Sequence, residues 1–275
     1  MVSPDLLQNP AFPLSNAYDV DFVLEGNMGP HPLWLAEWLL ADLQLGPDDR
    51  VLDLGSGKAT SSVFWARETG ARVFATDLWT SVDDNWRRIE QAGQAARVTP
   101  IKAEAHALPF AQGFFDAIVS VDSYTYYGAD LMYLFYLARF LRPGGRIAVA
   151  IPGLLRDFED GRVPEHLLAP QANGGVFWEP ECISFRTPAW WRAVFEGCPS
   201  VEDVRVDTLQ DGWRHWRDYE RAAEAAGKNP FPSVAETLDR DQGRYLGFVR
   251  ILARRSRSAG VNLYDADLAA KVLGR

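Results

Sequence analysis

Cysteine and lysine are scarce in this chain of 275 residues, with two of the former and four of the latter. Cys182 and Cys198 form no CxxC pair, and two thiols are too few for a disulfide framework or an iron–sulfur set. That usage suits a reducing cytosol. With so little lysine, arginine supplies nearly all the positive charge, a bias read as codon usage before chemistry. Basic residues are themselves outnumbered, 28 against 37 acidic, for a net charge of −9. Such a field repels phosphate backbones and anionic headgroups, so neither nucleic acid nor a stable membrane association is expected. The four histidines, His31, His106, His166 and His215, show no H-x-x-x-H spacing, and no metal site is predicted. Long apolar runs are missing too. HPLWLAEWLLADLQL is too short to span a bilayer and carries Glu37 and Asp42, so it reads as an amphipathic helix. MVSPDLLQNPAFPL has neither a basic n-region nor an apolar h-region. A cytoplasmic protein is the expectation.

Hydrophobic residues at 47% and charged residues at 24% are ordinary for a globular chain that can bury a sizeable core. From Val51 to Ile151 strands and helices alternate: VLDL, then the helix TSSVFWARET; RVFAT, then the helix VDDNWRRIEQAGQ, which Asp83 or Asp84 could cap; then the strand VTPIKAE. FDAIVSV, the helix ADLMYLFYLARFL and the strand RIAVAI follow, the last entered through a Pro143-Gly144-Gly145 turn. Runs such as AIVSV and IAVAI do not alternate in polarity, which fits strands covered on both faces of a parallel sheet. Beyond Pro152 the rhythm breaks. TPAWWRAVFEG reads as a helix, VEDVRVDTL as a strand, DGWRHWRDYERAAEAAG as a helix and RYLGFVRILARR as a closing strand. One domain explains this best: a helical lid (1–48), a core (49–153), cap insertions (154–186 and 209–240), a closing strand (241–255) and a weakly helical tail (256–275).

The turn after the first strand, DLGSGKAT, invites three readings. A phosphate cradle of the Walker type would need glycine where Leu52 stands and a hydroxyl where Ala59 follows Lys58, so it fails. A dinucleotide site matches Gly55 and Gly57 but has Thr60 in place of its third glycine. It would also set a pyrophosphate beside Asp53, against the attraction of a helix N-terminus for anions. A carboxylate there would instead favour a ligand whose nearest group is an ammonium. Asp77 ends the second strand, twenty residues after Gly57, at the distance where a carboxylate can accept both hydroxyls of an adenosine ribose. Glu104 ends the third strand, placed to accept from an adenine amine while the Ala105 N–H reaches a ring nitrogen. Asp122 ends the fourth. Any one of these acids could be a helix cap or a solvated loop residue; four on successive strand ends of a parallel sheet converge on its ligand-binding edge.

Through DLGSGKA, TDLW, AEAHALPF, FFDAIVSVDSYTYYG and LRPGGRIAVAIPG, the chain resembles the class I S-adenosylmethionine-dependent methyltransferases over roughly residues 50 to 153. It is most similar to their small-molecule branch, akin to quinone- and sterol-methylating and cyclopropane-synthase-like enzymes. The resemblance implies a Rossmann-like, doubly wound, seven-stranded α/β sheet, mostly parallel with an antiparallel closing strand. It implies that Gly55 and Gly57 admit the methionine portion, Asp53 orients the ammonium, Asp77 holds the ribose, and Glu104 with Ala105 reads adenine. Leu78 and Ser120 belong to the same implied cofactor set. Tyr18 and residues 27–34 would close over it from the N-terminal side. The family more often has Asp at the position of Glu104, and small residues where Lys58 stands; Lys58 is either a solvated turn residue or a partner for the methionine carboxylate.

Methyl transfer from a sulfonium is an in-line displacement in which the protein chiefly positions the reactants, so no triad or metal is required. A hydroxyl acceptor would call for a general base. Asp122, Tyr124 and His215 are the candidate catalytic groups. The tyrosines from 124 to 127 could equally be packing residues, and His215 a surface helix residue. The expected reaction is methylation of a small, partly apolar metabolite at an O, N, C or S atom. The competing readings are an NAD(P)-dependent oxidoreductase on the same sheet and a non-catalytic S-adenosylmethionine-binding protein.

Overall fold

Strand β4 (Phe115–Val121) is buried at every position, and β1 (Arg50–Leu54) at all but its first. In the computed structural model, which describes residue 3 and residues 5–257, these two strands sit side by side at the middle of a seven-stranded sheet. The order is β3-β2-β1-β4-β5-β7-β6, with β2 at Arg72–Asp77, β3 at Val98–Lys102, β5 at Leu141–Leu154, β6 at Val201–Thr208 and β7 at Leu246–Arg255. β1 to β5 run parallel, and β7 pairs antiparallel with both β5 and β6. This is the doubly wound sheet with an antiparallel closing strand that the resemblance implies.

Side chains two apart along a strand share a face, and the core divides accordingly. Val51, Val73, Val119 and Ala148 pack in one layer with α2 (Pro32–Leu40), α3 (Thr60–Thr69) and Ile89 of α4 (Val82–Gln91). Leu52, Ile118 and Val149 pack in the other with α5 (Tyr133–Ala138) and α7 (Pro188–Glu196). Helix α1 (Val20–Glu25) precedes α2. Between β5 and α7 lie two 3-10 turns (Glu159–Gly161 and Pro180–Ser184) and α6 (Glu165–Leu168). Between β6 and β7 lie α8 (Gly212–Ala225) and α9 (Ala235–Asp241). No helix among the described residues is long and apolar enough to cross a membrane.

Local chemistry moves several expected boundaries. Ser81, not Asp83 or Asp84, caps α4, its Oγ accepting from the Asp84 N–H at 3.1 Å; the two acids instead fill the first turn, where the helix dipole favours them. Helix α5 is shorter than its apolar pattern. The carbonyls of Arg139 and Phe140, which a longer helix would use, accept from Gly113 and Phe115 at the entrance to β4. Pro143-Gly144-Gly145 is not a turn before β5. It lies within the strand as an irregularity, where pairing jumps from Phe115↔Leu141 to Ala117↔Arg146. β5 also runs on to Leu154, because β7 pairs with it in unbroken register from Arg146. The expected tail beyond residue 257 lies outside the described residues.

Candidate functional site

Winding outward in both directions from β1 and β4 leaves a gap between the loops that leave their carboxyl ends. A cleft of about 550 Å³ opens there, in the size range of small-molecule sites.

Its floor is the glycine turn. Gly55 and Gly57 adopt left-handed φ of 73° and 52°, which glycine enters without a Cβ clash. A Cβ on Gly55 would stand 2.1 Å from Ser123 Oγ, so this glycine lets the β4 loop come down onto the turn. The Gly55 and Ser56 N–H groups donate to the Thr76 carbonyl, both at 2.9 Å, and the Gly57 N–H donates to Asp77 Oδ2 at 2.9 Å. Asp77 Oδ1 accepts from the Trp79 and Thr80 N–H groups at 2.8 Å each. One carboxylate therefore holds two turns together at the end of β2 while facing the cleft with Leu78 and Trp79. Ala103, Glu104 and Ala105 extend this wall. The Glu104 oxygens accept from the His106 backbone N–H and meet its Nδ1 at 2.8 Å. That contact leads the interactions holding the Glu104 carboxyl below its usual range.

At the other end Asp122 follows β4 with φ 56°, its carboxyl against the Cα of Gly29. Burial, then the nearby Glu220 carboxylate, pushes its pKa well above the usual carboxylate range. Tyr126, Tyr127, Met28, Gly29, Pro30 and Pro32 line this half, with Phe177, Glu179, Glu181, Cys182 and Phe231 supplied by the cap insertions. Lys58 also borders the cleft, and its ammonium donates to the Glu25 carbonyl at 2.9 Å, closing the end of α1. Burial, helped by Arg88, lowers its pKa.

Five of the residues expected at the site do not face this cleft. Tyr18 packs on Phe64 and donates to Glu68 Oε1 at 2.8 Å, on the outer side of α3, so it cannot close over the floor. Asp53 is fully buried behind the turn. Its Oδ2 accepts from Ser61 and Ser62 at 2.7 and 2.6 Å, its Oδ1 has no hydrogen-bond partner, and burial lifts its pKa to about 6. Ser120 is likewise buried, donating to the Leu54 carbonyl at 2.9 Å. Tyr124 is a core residue between Trp191 and Phe195, with its hydroxyl unpaired. His215 meets Asn9 Nδ2 at 3.0 Å and lies edge-on to Phe12 at 5.1 Å, behind α2. Packing or local hydrogen bonding holds each of the five away from the cleft, whatever chemistry its side chain could carry. Trp178 does not line the cleft but packs on Phe158. The neighbouring Phe177 lines the cleft instead, and nothing in the irregular stretch around it signals that in the sequence. Among the described residues no group of three or more His, Cys, Asp or Glu is arranged to hold a metal.

Residues 51–145 match the family model of a methyltransferase domain. Curated relatives include the methyltransferase GfsG of Streptomyces halstedii, 32% identical over 117 residues, and a demethylmenaquinone methyltransferase of Mycolicibacterium vanbaalenii, 37% identical over 110 residues. The matches cover 42% and 39% of this chain and 42% and 43% of those proteins, so the chain spans under half the length of the relatives it matches. Geranyl diphosphate C-methyltransferase of Streptomyces coelicolor shares the fold, with a TM-score of 0.62 at 21% identity over 82% of this chain and 78% of that one. Residues 51–145 are thus similar to the methyltransferase domains of these proteins, in line with the resemblance to the class I S-adenosylmethionine-dependent methyltransferases.

Proposed function

We propose that this protein transfers the methyl group of S-adenosylmethionine to a small, partly apolar acceptor held in the same cleft. One observation carries the reading: a single cavity joins the glycine turn, Asp77 and Glu104 at one end to Asp122, Tyr126 and the cap residues at the other. The cofactor half fits an adenosyl ligand bearing an ammonium. Two left-handed glycines open the backbone, and carboxylates close the ends of β2 and β3. Behind them stands a buried carboxylate oxygen that no protein donor reaches, Asp53 Oδ1. In this reading Asp77 accepts from the ribose hydroxyls, Glu104 and the Ala105 N–H meet adenine beside Leu78, and Asp53 acts through Ser61 as a positioning residue.

Bound S-adenosylmethionine would supply a methyl group on a sulfonium, displaced in line by the acceptor. The chain's own work is geometric and electrostatic. In this reading Tyr126, Phe177 and Phe231 close on an apolar body that displaces water as it binds, and such positioning contributes on the order of 7–11 kcal/mol in well-oriented reactions. Asp122, the ionisable group on the floor of the acceptor half, is the candidate to receive a proton. A cytoplasmic place in small-molecule metabolism goes with the reading. An oxidoreductase is disfavoured because Asp53 and Asp77 flank the turn where a pyrophosphate would lie. Thermal unfolding tests it: S-adenosylhomocysteine should raise the midpoint, whereas NADH and NADPH should not. The opposite pattern would transfer the site to a nicotinamide cofactor.

A further inference from the structure

The acceptor half of the cleft is charged in one sense only. Asp122 lies on its floor, and Glu179 and Glu181 stand at the mouth, both exposed. Tyr126, Phe177 and Phe231 supply ring surface between them. Lys58 is the sole basic residue bordering the whole cleft among the described residues, and its ammonium is already tied to the Glu25 carbonyl at the turn end. A phosphorylated or carboxylate acceptor would therefore meet three carboxylates and no guanidinium to receive it. A cation would meet the reverse: acids for its charge and ring faces for its flanks.

Asp122 adds an independent observation. The two buried carboxylates nearby have protein donors, Ser61 and Ser62 on Asp53 Oδ2 and the Trp216 indole N–H and the Val234 N–H on Glu220, whereas Asp122 is half-buried and has none among the described residues. Among the described residues no hydrogen bond or ion pair reaches the Asp122 side chain, although it is recessed against Gly29 and opens on the cavity. A half-buried carboxyl that faces the cavity without a protein donor is free to accept from a ligand held there. Burial first, and then the Glu220 carboxylate, raise its pKa, and a cation at this carboxyl would oppose both.

From the Asp122, Glu179 and Glu181 carboxylates around an aromatic wall, we infer that the acceptor is an apolar amine, bound through its nitrogen at Asp122. This rests on the methyltransferase reading for the meaning of "acceptor", but the preference for an amine head group is a property of the cleft alone.

Three probes of one shape separate the possibilities by calorimetry: phenethylamine, 2-phenylethanol and phenylacetate, each titrated into the protein alone and into protein saturated with S-adenosylhomocysteine. The amine should bind at least tenfold tighter than the alcohol, and phenylacetate should bind more weakly than either. Asp122→Asn should lower amine affinity at least fivefold and leave the alcohol unchanged. The variant should fold, because asparagine tolerates the left-handed φ of 56° at this position, and its thermal midpoint reports on that directly. The inference is overturned if no amine binding is measurable at millimolar concentration, if the alcohol or acid binds as tightly, or if Asp122→Asn leaves amine affinity intact. A protein that ignores S-adenosylhomocysteine yet prefers the amine would sink the methyl-donor reading and keep this one.

Discussion

His31 should make the protein's stability depend on pH in a way that one substitution can isolate. Its ring is buried, its Nδ1 accepts from the Trp34 N–H at 3.2 Å as the cap of α2, and it stacks on Trp34 with centroids 4.1 Å apart. Only the neutral ring can accept that bond, and burial lowers its pKa from 6.5 to about 3. Below pH 6.5 the unfolded chain takes up a proton that the folded chain refuses, so the contribution is complete above 6.5 and is lost as pH falls toward 3. At about 1.36 kcal/mol per pKa unit the ceiling is roughly 5 kcal/mol, reached only below pH 3, and relaxation of the site brings the expected loss by pH 4 to about 1–3 kcal/mol. Asp53, raised to about 6, and Glu220, raised to about 7 chiefly by burial, work in the opposite sense. Their stabilisation is present at low pH and is lost as pH rises through those values. The raw profile therefore mixes signs, but the difference between wild type and His31→Asn does not. Asparagine keeps a cap without a proton to gain. Urea denaturation across pH 4 to 8, where the unrelaxed limit is about 3 kcal/mol, should show the wild-type advantage shrinking by about 1–3 kcal/mol toward the acid end. Parallel profiles would refute the assignment of a neutral, capping His31.

Asp77→Asn turns an acceptor toward the Gly57 N–H into a donor, and should cost about 1–3 kcal/mol in denaturant unfolding. In calorimetry it should also weaken S-adenosylhomocysteine binding at least tenfold; undiminished affinity would remove Asp77 from the cofactor site. Gly55→Ala should destabilise by about 1–3 kcal/mol, since alanine meets both a left-handed φ and Ser123 Oγ, and an unchanged melting curve would contradict the close approach described. Tyr124→Phe deletes a buried hydroxyl that has no partner, so its thermal midpoint should hold or rise and turnover should persist; loss of turnover in a folded variant would restore the tyrosine as a catalytic residue.

The strands of the core were legible because both faces are covered. Phe115–Val121 is apolar almost throughout, and the helix Thr60–Thr69 follows its glycine turn without ambiguity. Asp77, Glu104 and Asp122 were legible as acids on successive strand ends, and all three open on the cleft. Asp53 shows the limit of that logic: side chains alternate along β1, and its Oδ2 turns to the serines of α3. Tyr18, Tyr124 and His215 were chosen by side-chain chemistry, whereas tertiary packing, invisible in a single chain, decides what each can touch. The acceptor wall was illegible for a related reason. Phe177, Glu179 and Cys182 sit in short turns whose pattern has no period to read.

The place of β7 between β5 and β6 has a consequence for biosynthesis. β6 is made some forty residues before its only neighbour and, as the chain leaves the ribosome, has nothing in the sheet to bind. Until residues 246–255 emerge, β5 offers an open edge of unpaired amides, the kind of surface on which nascent chains stick to one another. Chaperone demand should therefore peak while residues 209–245 are being made and fall away once β7 slides into its slot.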